Sequence, residues 1–150
     1  MKNIQRPKIL LLYPQSSQHL GLWNDLKLDS TVALRCCAER HWNVKLFNFL
    51  KRICLKYIHN WFGITPFENF WYGYGDIFRL ARHLEYIIVI DGALNILKLR
   101  CLEQCRHINP NIKIVLYLIN SMDAKSPIMN GVRPQINRFK WDNTYSFDPK

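Results

Sequence analysis

Residues 8–13 read KILLLY and are closed by Pro14. The run is continuous and apolar, too short for an ordinary helix, and stopped by a residue that cannot donate to a ladder. That is the pattern of a strand buried on both faces, which in globular domains belongs to a parallel sheet with helices packed on either side. Residues 86–91 (YIIVID) repeat it as strand three, and residues 112–119 (IKIVLYLI) as strand four. Residues 43–49, rich in Val and Phe after the turn signal of Asn43, read as strand two, and residues 143–148 as strand five.

Helical periodicity fills the intervals. Between Leu22 and Arg40, apolar side chains at Trp23, Leu26, Ala33, Leu34 and Cys37 keep roughly helical spacing, interrupted at Ser30, and predict helix one. Leu50, Ile53, Cys54, Tyr57, Ile58 and Trp61 form a stripe predicted to face a core, with Lys51, Arg52 and Lys56 facing away. Gly63 suits the left-handed residue that ends this helix. Thr65-Pro66-Phe67-Glu68 then reads as a capping box with proline at the first helical position. The next helix presents Phe67, Phe70, Trp71, Tyr74, Phe78, Ala81 and Leu84; Gly73 and Gly75 each cost about 1 kcal/mol in a helix interior, so a break is expected near Gly73. Residues 94–108 form a further helix that Asn109-Pro110-Asn111 stops, and residues 120–141, with Pro127, Gly131 and Pro134, read as a loop with one short helix. There is no internal repeat, low-complexity tract or linker.

Strands alternating with helices imply right-handed crossovers and an α/β fold: a single domain built on a doubly wound, mostly parallel five-stranded sheet, Rossmann-like or flavodoxin-like. In such sheets ligands meet the carboxyl ends of the strands at the switch point, so the loops that matter are 14–21, 91–94 and 120–126. In the order 2-1-3-4-5, helix one and a helix after strand five together cover one face, yet the sequence finishes at Lys150 just past strand five. Half of one face is therefore expected to lie bare and to mark a partner surface: a missing C-terminal portion, a second chain, or a different strand order.

Composition bounds the function classes. A chain of 150 residues, 49% hydrophobic and 13% aromatic, can bury about 68–70% of its unfolded surface, which excludes wholesale disorder. No apolar run approaches a membrane span. Lys and Arg number 21 against 11 Asp and Glu, so the surface draws anions: phosphorylated ligands, nucleic acid or an acidic lipid leaflet. Five cysteines without paired spacing favour a reducing compartment, and the basic N-terminus runs directly into a strand without a signal-peptide core, which places the chain in the cytoplasm.

The first loop carries Ser16, Ser17, Gln18 and His19 ahead of helix one, whose amides suit either a phosphate or side-chain capping. It lacks both G-x-G-x-x-G and the Walker pattern, so no dinucleotide or nucleotide cofactor is expected, and flavodoxin-type FMN binding has no specific support. Asp91, Ser121 and Lys150 stand after strands three, four and five, where response-regulator receivers place a phosphoacceptor Asp, a hydroxyl and a Lys. The Mg²⁺-binding acidic pair of a receiver is replaced here by Tyr13-Pro14-Gln15. Cys36-Cys37 and Cys101/Cys105 supply no four-ligand set, so they read as small core residues and no metal is expected. Between Glu39 and Glu68 there is no acid, while Arg40, Lys45, Lys51, Arg52 and Lys56 accumulate beside Trp42, Tyr57, Trp61 and Phe62. The segment suits either a solvated face over a core stripe or an anionic membrane surface. No RNA- or DNA-binding module signature accompanies it, so nucleic acid is not an expected partner.

Together, KILLLYP at 8–14, YIIVIDG at 86–92, NPNIKIVLYLINS at 109–121 and YSFDPK at 145–150 resemble the N-terminal half of GT-B-type glycosyltransferases of bacterial capsule and lipopolysaccharide biosynthesis. In that group a strand ends in a glycine like Gly92, a Pro-x-x-Lys turn like Pro110 to Lys113 leads into a Tyr-Leu strand, and a Phe-Asp-Pro segment closes the half-domain. The family commonly carries an acidic residue where this chain has Asn120, whose amide keeps hydrogen bonding only.

The resemblance implies an acceptor-side domain that works in a cleft with a second, nucleotide-sugar-binding domain and is inactive without it. The implied partners are a glycan or lipid-linked acceptor and, through that second domain, a nucleotide-sugar donor. The implied acceptor contacts are Ser16, Ser17, Gly92, Asn120 and Ser121, with Asp91 or His19 as the base that deprotonates an acceptor hydroxyl. Asp91 reads equally as a helix cap, its carboxylate bonding the amides before Leu94.

Overall fold

The computed structural model describes residues 7–15, 26, 29–38, 45–62, 66–95, 97–119, 133–134 and 136–146. Five strands, β1 (Ile9–Pro14), β2 (Val32–Cys37), β3 (Tyr86–Ile90), β4 (Lys113–Leu118) and β5 (Asn143–Ser146), form one sheet of order β2-β1-β3-β4-β5. Every neighbouring pair is parallel. The expected doubly wound α/β sheet is the architecture observed.

Register follows from the apolar runs. Leu10, Ile87 and Ile114 stand side by side across β1, β3 and β4, as do Leu12, Val89 and Leu116, and all six are fully buried on one face. The alternate residues Leu11, Ile88 and Val115 point to the other face, because side-chain period in a strand is two.

The first face holds the main core. Strand order requires β1 to β2 to run one way along the sheet and the three later connections to run the other, so right-handed crossovers place those three on one face. The buried residues agree. The main cluster takes Tyr74, Ile77 and Ala81 from α4 (Tyr74–Ala81), Cys101, Leu102 and Cys105 from α5 (Leu99–Ile108), and Ile136 and Phe139 from the connection to β5. On the second face Leu11, Tyr13 and Ile90 pack with the partly buried Leu34, Cys36, Ile88 and Tyr117, and among the described residues only strands contribute.

Two expected elements are exchanged. Strand two lies at 32–37, inside the expected helix one, and the expected strand at 43–49 is the start of a helix, α1 (Lys45–Arg52). The physical reason is a turn. Asp29 Oδ1 accepts hydrogen bonds from the Thr31 amide at 2.8 Å and the Thr31 hydroxyl at 2.7 Å, and the Val32 amide bonds the Asp29 carbonyl at 3.2 Å, an Asx-type turn that launches an extended chain. As an edge strand β2 is only half-buried, so its sequence VALRCC never shows the continuous apolar run that marks an inner strand.

The helix that begins at α1 continues through a π-helical stretch (Ile53–Ile58), where the His59 amide bonds the Cys54 carbonyl, into α2 (His59–Phe62). Its expected core stripe is largely outside the core: Leu50, Tyr57 and Trp61 are exposed, while Cys54 and, against expectation, Lys51 are buried. Gly63 and Thr65 lie outside the described residues. Pro66 sits in a turn rather than at a first helical position, Phe67 takes a left-handed φ of 58° without capping, and α3 (Glu68–Trp71) follows. The break near Gly73 occurs as expected. Gly73 adopts φ 68° and separates α3 from α4, and Arg35 of β2 donates to its carbonyl at 2.7 Å and to Asp76 at 3.1 Å.

Two polar contacts tie the later strands down. Asn109, at the stop expected for α5, donates through Nδ2 to the Ala81 and Leu84 carbonyls at 3.1 and 2.9 Å, fastening the end of α5 to the end of α4. Asp142 Oδ2 accepts from the Ile114 amide and from Arg106, both at 2.7 Å, which joins the approach to β5 to β4 and α5. Partial burial pushes the Asp142 carboxyl up, but the Ile114 amide and Arg106, with Lys113 nearby, outweigh it and hold the group below the usual carboxylate range.

A lowered folded value means the stabilisation is present above the unfolded carboxylate pKa of about 3.9 and is lost as pH falls through the folded value. Asp142→Asn is expected to cost about 1 kcal/mol at pH 7, reduced from the buried-pair range by the exposure of both partners. Urea midpoints of the two proteins should then converge below about pH 4, and a gap that stayed constant with pH would refute this account.

Candidate functional site

The sheet reverses direction of winding between β1 and β3, and that is where the two strands' carboxyl ends carry Pro14 and Asp91-Gly92. The chain leaves β3 in a 3₁₀ turn (Asp91–Asn95) whose Ala93 and Leu94 are buried, with Leu97 close behind and its amide bonded to the Ala93 carbonyl at 2.9 Å. These three side chains belong to the main core, so the turn is anchored from beneath. The expected helix at 94–108 therefore begins later, at Leu99, after the Lys98 amide has bonded the Tyr74 hydroxyl at 3.0 Å.

Asp91 is 1% exposed, and its Oδ1 accepts a hydrogen bond from the Gly92 amide at 2.7 Å. The carboxylate thus meets the amide of the next residue, whereas an N-cap accepts from amides two or three positions on, so this contact by itself is not the cap read from the sequence. Gly92 makes a close approach to Pro14. A Cβ built there would stand 3.0 Å from Cγ and 3.3 Å from Cβ of Pro14, so a side chain at 92 would require the Pro14 ring to give by a few tenths of an ångström.

Of the predicted site residues, Asp91 and Gly92 are brought together at the switch point. Ser16, Ser17, His19, Asn120 and Ser121 lie outside the described residues, as does Lys150. Asp91 is shielded from solvent, so use as a phosphoacceptor or as a base would alike require the turn to open.

A second constellation was not foreseen. Arg35, Tyr72, Tyr74 and Leu97 surround a gap beside Cys36 and Cys37 of about 10 Å³, filled too well to take a ligand. Stacked Tyr72 and Tyr74 rings and the Arg35 bonds make this a structural brace, and burial raises the Tyr74 hydroxyl well above the ordinary phenol. Its one mark in the sequence is a lone Arg within VALRCC, which does not disclose the partners.

Two of the buried thiols are unsuited to nucleophilic work. Burial pushes Cys37 up to about 12, and a side-chain hydrogen bond between Cys101 and Cys105, followed by burial, drives Cys101 upward too, so neither Cys37 nor Cys101 forms a thiolate near neutrality. Among the described residues no group of three or more His, Cys, Asp or Glu side chains is placed to hold a metal ion, and no helix is long and apolar enough to cross a membrane.

Two open grooves lie elsewhere. One of about 430 Å³ runs past Arg82, His83, Glu85, Asn109 and Lys113 at the amino ends of β3 and β4, the wrong end of a parallel sheet for its ligand. The other, about 400 Å³, lies between Glu68, Asn69, Phe78, Arg100 and Gln104 on α3, α4 and α5.

Fold and site together define a Rossmann-like α/β domain with a glycine-bearing turn at its switch point. The chain matches no protein-family model, no curated protein and no solved structure. Gly92→Ala should cost about 1–3 kcal/mol through overpacking against Pro14. Urea denaturation measures this, and a loss below about 0.5 kcal/mol, the ordinary range for a surface substitution, would show that the two strand ends are not locked together.

Proposed function

We propose that this chain is the acceptor-side domain of a glycosyltransferase-like protein of surface-polysaccharide biosynthesis, active only together with a nucleotide-sugar-binding domain. The observation that carries the reading is the Asp91-Gly92 turn, pressed against Pro14 at the switch point of a parallel sheet. The segments that carry the family resemblance support it. KILLLYP covers β1, YIIVIDG is β3 with its turn, and the Tyr-Leu strand is β4, so the similarity follows the three inner strands of the sheet.

In sugar transfer the acceptor hydroxyl oxygen bonds to the anomeric carbon of the donor as the nucleoside phosphate departs, and a base takes the hydroxyl proton. Asp91 or His19 is that base. Ser16, Ser17, Gly92, Asn120 and Ser121 hold the acceptor. Opening of the turn in the closed two-domain complex brings the buried Asp91 carboxylate within hydrogen-bond reach of the hydroxyl. The reaction belongs in the cytoplasm, where nucleotide sugars are made.

A second reading rests on the strand order β2-β1-β3-β4-β5, which flavodoxin-like modules share. On that reading the domain binds phosphate or a protein partner and catalyses nothing. The chain joined to a donor-binding domain and offered radiolabelled nucleotide sugars with a polysaccharide acceptor distinguishes the two. If Asp91 is the base, Asp91→Asn lowers transfer about 10²–10⁴-fold while circular dichroism is unchanged. Transfer unaffected by this change would reduce Asp91 to a cap and leave His19. Binding of FMN, or uptake of phosphate from acetyl phosphate with Mg²⁺, would replace the glycosyltransferase reading altogether.

A further inference from the structure

Among the described residues, the helical segment 45–62 adds little to the two cores that cover the sheet. None of its residues belongs to either apolar cluster, and among its side chains only Lys51 and Cys54 are buried. Trp61 is 79% exposed, Phe62 68%, Leu46 62% and Phe49 60%, with Leu50 and Tyr57 also open to solvent. An apolar face of this size on a soluble domain marks an interaction surface.

Its charge says what kind. Lys45, Arg52 and Lys56 are exposed on the same segment, and no Asp or Glu occurs between Glu39 and Glu68. A protein partner's apolar patch would not need such one-signed flanks. A bilayer whose acyl boundary takes Trp and Phe while its headgroups carry negative charge meets both features at once. The segment, with Lys45, Lys51, Arg52 and Lys56, is also too charged to cross a membrane, which leaves lying along it.

The geometry points to segment 45–62 as a membrane-docking helix that lies in the interface of an anionic bilayer, Phe49, Tyr57 and Trp61 inserted and Lys45, Arg52 and Lys56 on the headgroups. This stands apart from the sugar-transfer reading, since it depends on neither Asp91 nor the switch point.

Co-sedimentation of the whole chain with vesicles of phosphatidylcholine, with and without phosphatidylglycerol, tests it. Binding is expected only where phosphatidylglycerol is present, falling as salt rises, with tryptophan fluorescence quenched by brominated acyl chains and that quenching reduced in Trp61→Phe. Lys45→Gln, Arg52→Gln and Lys56→Gln together should weaken binding roughly a hundredfold, about fivefold per base. Because these three side chains are exposed, circular dichroism should be unchanged, and the salt dependence of the unaltered chain is a check that needs no variant. Three results would overturn the inference: equal binding to neutral vesicles, no vesicle binding at all, or preference for nucleic acid over phosphatidylglycerol at the same salt. A concentration-dependent dimer abolished by Trp61→Ser, with vesicles ignored, would assign the face to a second copy instead.

Discussion

A strand buried along both faces has to lie inside the sheet, and β1 is such a strand. Leu10 and Leu12 are fully buried on one side and Leu11 nearly so on the other, and the strand is paired in register with β2 and β3. At roughly 25 cal/mol per Å² of apolar surface removed from water, each of those side chains contributes about 1.5–3 kcal/mol. With β1 inside, β2 and β3 must flank it, and the chain has to cross over β1 to pass from one to the other. That crossing creates the switch point, so the place where a ligand can be met is a by-product of hydrophobic burial. It needed no dedicated motif.

The same constraint sorts the two faces. Connections running in one direction along the sheet are carried by right-handed crossovers to one side, which is why α4, α5 and the segment around Ile136 share a single core. The turn after β3 then serves two masters. Ala93, Leu94 and Leu97 are pulled into that core, while Asp91 and Gly92 are held at the lip against Pro14. A turn anchored from below is a rigid place to present a carboxylate, at the cost of burying it. Any chemistry by Asp91 must begin with movement of the turn.

How much of this the sequence discloses depends on how one-sided each environment is. Inner strands β1, β3 and β4 announce themselves because both faces are buried, and no helix of six residues could hide Leu10, Leu11 and Leu12 together. The edge strand β2 does not. Val32 to Cys37 is half-buried, so its spacing satisfies a helical stripe as well as a strand, and the deciding information sits in the Asx turn at Asp29 and Thr31. Segment 45–50 fails in the opposite sense. Phe47 and Phe49 have strand propensity, but with neither face buried against a sheet nothing overrides the helical backbone preference of the chain that follows. At the site, Asp91 and Gly92 were legible from their place after an apolar run. Arg35 was not, because its partners, Gly73 and Asp76, lie about forty residues away in a helix start that only the folded chain brings near.

The exposed helix and the buried turn illustrate one rule from two sides. Apolar groups that the core can use are taken by it, as the turn after β3 gives up Ala93 and Leu94, so large apolar groups left outside are those the core has no geometry for. Phe49, Trp61 and Phe62 each forgo about 1.5–3 kcal/mol by remaining in water. Among the described residues, neither core cluster of the sheet includes them. That they sit beside exposed Lys45, Arg52 and Lys56 rather than among acids ties the forgone burial to a surface that supplies hydrocarbon and negative charge together. Folding leaves that burial energy unspent, and only association can recover it.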